Sequence, residues 1–140
     1  MRYMIIVRAT PMSEAGIIPD DPGLMADMAA FHEELAQAGV LLDACGLQPS
    51  AQGWRVRYGS GRPVVVDGPF AETKELIAGY TVIQVRSPDE ALEWSRRFPR
   101  PFPSGIDCEI ELRRLYELED FEPNPAVQRL RDLGVGNGMS

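Results

Sequence analysis

Residues 2–8, RYMIIVR, are apolar on both sides of an extended chain: Tyr3, Ile5 and Val7 point one way, Met4 and Ile6 the other. Segment 79–85 repeats the pattern, with Tyr80 and Val82 opposed to Thr81 and Ile83. A strand of this kind needs cover on both faces. The two long helical segments of the chain can cover one face of a sheet, and a second copy stacking its own sheet on the other would cover the rest. This patterning predicts a homodimer.

The helices are marked by their ends. Asp21 is placed to cap a helix with Pro22 in its first position and Gly39 as its stop, which predicts a helix over 22–38. Ser87-Pro88-Asp89-Glu90 is a capping box opening a second helix over 88–98. Between them lie a strand at 40–47 and a hairpin. In the hairpin Trp54, Val56 and Tyr58 alternate with Arg55 and Arg57, and Gly59-Ser60-Gly61 turns the chain into Pro63 to Val66. One face of that hairpin is apolar and the other cationic. Pro11, Gly16 and Pro19 read as a loop after the first strand. Pro99, Pro101 and Pro103 form a stiff connector to a last strand in which Cys108, Ile110 and Leu112 alternate with charged residues. The order is that of an α+β, ferredoxin-like βαββαβ fold with an antiparallel sheet and an inserted hairpin.

The run from Val64 to Ile77, VVVDGPFAETKELI, holds the only lysine, Lys74, among acids. Asp67-Gly68-Pro69 ends the strand at Val66: Asp bonds to the backbone ahead, Gly tolerates positive φ and Pro removes a donor. The block from Asp67 to Glu75 resembles the DGPF motif of the YCII-related family. The resemblance extends from RYMIIVRAT through GLQPS and IAGYTVIQVRSPDEALEW to about Phe121. It implies a dimeric α+β barrel built on the ferredoxin-like fold, with small-molecule enzymology as the suspected activity. Residues 1–116 would form that domain. Residues 117–140 form an acidic extension, ELEDFE and then a short helix from Asn124-Pro125, whose Val127, Leu130 and Leu133 make an apolar stripe. That stripe would pack either on the neighbouring subunit or on its own chain, with 134–140 frayed.

A net charge of −7 and a pI near 4.7 argue against a nucleic-acid surface, which needs clustered Lys and Arg. Cys45 and Cys108 lie in apolar, strand-like segments and read as buried free thiols of a reduced, cytoplasmic protein. Neither a secretory leader nor a membrane-spanning stretch is expected. One histidine and two distant cysteines give no metal-ligand spacing, and no phosphate loop or dinucleotide fingerprint is present, so no metal or cofactor is expected.

His32, the only histidine, falls in the apolar arc of the first long helix with Leu24, Met28, Phe31 and Leu35. There it is either an acid/base group or a satisfied structural histidine. Asp67, ending a strand at a tight turn, could orient an imidazole or take a proton; turn chemistry alone also accounts for it. If the two converge, they form a catalytic dyad. Arg8, Glu72, Lys74 and Tyr80 are candidate substrate contacts, against the plainer readings of solvated charges and an aromatic that fills core or interface. The resemblance adds that some relatives pair a histidine with an aspartate, whereas others carry a different polar residue.

Two functions follow. One is a cofactor-independent enzyme performing isomerisation, elimination or hydrolysis on a small polar or aromatic compound. The other is a non-catalytic sensor or regulatory module. Relatives of this type are often encoded beside extracytoplasmic-function sigma factors, which implies a regulatory protein partner.

Overall fold

The computed structural model describes residues 1–136; residues 137–140, part of the segment expected to fray, lie outside them. A four-stranded sheet runs in the order β2 (Leu41–Gly46), β5 (Ile77–Gln84), β1 (Arg2–Arg8), β6 (Ile110–Arg114). Every neighbouring pair is antiparallel, so β1 and β2 run parallel with β5 between them, and β5 and β6 run parallel with β1 between them. Helix α2 (Pro22–Gln37) joins the first parallel pair and α3 (Pro88–Arg96) the second. These are two interleaved split βαβ units, the ferredoxin-like α+β arrangement expected from the sequence. The sheet is open within one copy, with no closed barrel among the described residues.

Local chemistry sets the ends. The Asp21 carboxylate accepts the Gly23 N–H at 3.0 Å and Pro22 starts α2. At its other end Gly39 turns left-handed at φ 75°, so that the Val40 N–H reaches Leu35 O and the Gly39 N–H reaches Ala36 O, both at 3.0 Å. That crossed pair satisfies the last carbonyls and drops Val40 into the core. At α3 the Ser87 hydroxyl accepts the Glu90 N–H, but the Glu90 carboxylate reaches the Arg86 N–H, one residue before the position a capping box uses.

The loop expected after β1 instead begins with a one-turn helix, α1 (Pro11–Glu14). Thr10 and Ser13 exchange side-chain to backbone bonds, a reciprocal cap with serine in the place usually held by Glu or Gln. The hairpin forms a separate two-stranded sheet, β3 (Trp54–Arg57) and β4 (Val64–Asp67). Asp67 pairs with Trp54, so the strand runs one residue past its expected stop at Val66. The last strand begins at Ile110 rather than Cys108.

The core lies between the helices and one face of the sheet. Ile5, Leu35 and Ile83 are wholly buried among Tyr3, Phe31, Val85, Ala91 and Trp94. Each such aliphatic side chain contributes roughly 1.5–3 kcal/mol by leaving water. The opposite face carries Met4 beside Val82 and Ile6 beside Tyr80 along its middle. Asp43 and Cys45 flank it on β2, and Glu111 and Arg113 flank it on β6. No helix covers it. Cys45 is therefore exposed on this edge strand, not buried as its apolar surroundings suggested; both cysteines are free thiols.

After β6 the extension stays tied to the sheet. The Leu115 N–H donates to Arg2 O at 3.0 Å, and the Arg2 guanidinium holds both Glu117 oxygens at 2.9 and 3.1 Å. Leu118 is buried, while in the following helix α4 (Pro125–Asp132), capped by Asn124, the expected stripe leaves Leu130 40% and Leu133 75% exposed. None of the helices among the described residues is long and apolar enough to cross a membrane.

Candidate functional site

The Asp67-Gly68-Pro69-Phe70 turn is pressed against the segment 50–53. The Gly68 N–H donates to Gly53 O at 3.0 Å, and a Cβ on Gly68 would overlap the Ser50 carbonyl, lying 2.7 Å from its carbon. Gly68 does not have positive φ, so the expected reason for a glycine here is corrected: space, not handedness, excludes a side chain. The Gly68–Pro69 peptide is cis.

Ser50 then links three segments. Its N–H and hydroxyl donate to the two carboxylate oxygens of Glu14, at 2.9 and 2.5 Å, and its Oγ accepts the Phe70 N–H at 3.0 Å. The cap at Thr10 fixes α1 and so places Glu14 at its end. Above Phe70, the Arg55 guanidinium lies 3.9 Å from the ring centroid, a cation–π stack. These groups border a cavity of about 390 Å³ whose remaining walls include Leu47, Pro49, Leu76 and Ile77. Its lining is mostly apolar, with Glu14, Gln48, Ser50, Gln52 and Arg55 as the polar side chains. The cavity is an open cleft rather than an enclosed chamber, combining apolar walls with a few oriented polar groups as small-molecule sites do.

The six residues singled out from the sequence lie elsewhere. His32 sits between α2 and the sheet. Its Nδ1–H donates to Met28 O at 2.7 Å, and its Nε2 is 2.9 Å from the Thr81 hydroxyl, which donates to it when the ring is neutral. Asp67 is exposed at the end of the separate hairpin sheet, and among the described residues no hydrogen bond joins it to His32. Arg8 donates to Glu111 at 2.5 Å and to Glu75 O at 3.3 Å, leaving its buried Nε–H without a partner. Tyr80 donates to Asp43 at 3.3 Å, and the Asp43 charge, aided by partial burial, raises its phenol above the usual range. Arg8 and Tyr80 thus lie on the uncovered sheet face. Glu72 and Lys74 are exposed around a 3-10 turn, Thr73–Glu75. None of the six lines the cavity.

The pattern of the YCII-related domain matches residues 1–115, from the first strand to the end of the last. The chain belongs to the YCII-related family. An uncharacterized protein of Rhizobium meliloti (strain 1021) is 35% identical over 98 residues, which is 70% of this chain and 79% of that protein. The YCII-related match contains the hairpin, the Asp67–Phe70 turn and the whole cavity. It ends before the extension, where Leu118, Phe121, Val127 and Arg131 border a second cleft of about 360 Å³.

Sequence reasoning passed over Glu14, Ser50, Arg55 and Phe70. Arg55 was visible as part of a cationic strand face, and Pro49-Ser50 as part of the family-like GLQPS segment. Their convergence depends on contacts between segments 20 to 36 residues apart, which no local pattern encodes.

Proposed function

We propose that this YCII-related protein is a homodimeric small-molecule-binding protein whose ligand occupies the cavity beside the Asp67–Phe70 turn. The observation carrying this reading is the Glu14–Ser50–Phe70 bond chain together with a stacked Arg55, which gives an otherwise mostly apolar open cleft a polar edge. In this reading His32 holds α2 to the sheet through Met28 and Thr81, and Asp67 terminates the hairpin. Arg8 and Tyr80 belong to the face on which the second copy stacks, while Glu72 and Lys74 are solvated charges around the Thr73–Glu75 turn. The acid/base alternative requires His32 to release its Thr81 contact and meet a substrate; turnover that disappears on His32→Gln with folding intact would favour it.

The test of binding is an amide NMR titration of the full chain with a library of small metabolites. Shifts confined to residues 47–53 and 70–77 support the reading, and shifts at His32 and Thr81 instead would move the site to the helix face. For the dimer, the expected mass by light scattering is twice that of the chain, reduced to one chain by Ile6→Glu, which places a charge in the middle of the uncovered face.

A further inference from the structure

Resting on that ligand-site reading, we infer that the ligand is a small carboxylic acid with an apolar body, its carboxylate bound in the plane of the Arg55 guanidinium. Arg2, Arg8, Arg96, Arg97 and Arg113 each have a carboxylate partner. Arg55, like Arg57 and Arg62 of the same hairpin, has neither an ion pair nor a side-chain hydrogen bond among the described residues, but of these three it is the one stacked on an aromatic ring, Phe70 at 3.9 Å. Stacking uses the face of a guanidinium and leaves its in-plane N–H fork free. That fork matches the two oxygens of a carboxylate, and holding it still removes part of the entropy cost of pairing.

Charge distribution points the same way. The chain carries −7 overall, but residues 54–66 contain Arg55, Arg57 and Arg62 and no acid. A local positive lobe on an acidic protein concentrates anions at that one place. The rest of the cavity limits which anion. Glu14 lines it with both oxygens already occupied by Ser50, so a second or third negative charge on the ligand meets a fixed carboxylate. A monoanion suits one arginine better than a phosphate dianion does. Leu47, Pro49, Leu76 and Ile77 then require an apolar remainder, and about 390 Å³ lies near the lower end of the roughly 300–1,000 Å³ of small-molecule sites.

The experiment is amide NMR titration of the full chain with benzoate and hexanoate, their neutral counterparts benzamide and hexanamide, and inorganic phosphate. The acids are expected to shift residues 47–53 and 70–77. Arg55→Gln should weaken them by about tenfold or more, as expected on losing a charge-assisted pair. Arg55→Lys should not restore them. Arg57→Gln, the same charge change on the same strand but off the cavity, should leave binding unchanged. Amides binding as well as acids, or phosphate binding in their place, would overturn the carboxylate assignment while leaving the cavity as the site. Shifts at these residues by none of the five probes would overturn both.

Discussion

Gly68 and Ser50 touch so closely that no side chain fits between them: the α-carbon of one faces the carbonyl of the other at the open end of the hairpin. Gly68→Ala must push backbone against backbone, which neither side can relieve by a rotamer change. The expected cost is about 2 kcal/mol or more, read as a lowered denaturation midpoint with an unchanged slope. Gly59→Ala and Gly61→Ala, where an added Cβ meets nothing, should stay within about 0.5 kcal/mol of the parent.

His32 and Thr81 form a polar pair at the edge of an apolar core, with Thr81 only 2% exposed. Thr81→Val and His32→Gln should each destabilise, and a double-mutant cycle should give a favourable coupling of about 1 kcal/mol. Zero coupling, measured by denaturation, would show that the hydroxyl does not hold the ring.

Glu111 is kept below the ordinary carboxylate value of 4.5, first by its hydrogen bond from Arg113 and then by the bond and charge of Arg8, against some desolvation. Because the folded state favours the ionised form, its contribution is complete above pH 4.5 and disappears as pH falls below it. Acid unfolding followed by circular dichroism should show Glu111→Gln with a shallower loss of stability in that range. An identical slope in the two proteins would remove Glu111 from the acid response.

The forked Arg2–Glu117 pair, with side chains 13% and 20% exposed, is the main polar tie between the sheet and the extension. Glu117→Gln should cost about 1–3 kcal/mol, since it leaves a largely covered guanidinium with a neutral partner. Hydrogen exchange is expected to rise first in residues 115–121. Unchanged exchange there would place the anchoring in Leu118 alone.

Most of the fold was legible because its signals are local. Asp21-Pro22 with Gly39, and Ser87-Pro88, mark helix ends within a few residues, and the alternation in 2–8 and 79–85 marks two buried strands. Helix α1 escaped because a four-residue helix has no periodicity, and its Thr10/Ser13 cap lacks the usual acid. The site escaped for a different reason. His32 and Asp67 drew attention by residue type, whereas the cavity is made by ordinary residues, a serine, a glutamate and an arginine, brought together by the hairpin folding back on segment 50–53.

Strand β1 is made before every other strand of the sheet, yet both of its partners, β5 and β6, come much later, at Ile77–Gln84 and Ile110–Arg114. On the ribosome, a segment apolar on both faces must therefore wait for β5, tens of residues later, before a single rung of its ladder can close. Such long-range pairing slows folding, and the unpaired strand is an adhesive edge throughout the delay. The most hazardous interval for this protein precedes completion of β5, when the centre of its finished sheet is still its stickiest loose end.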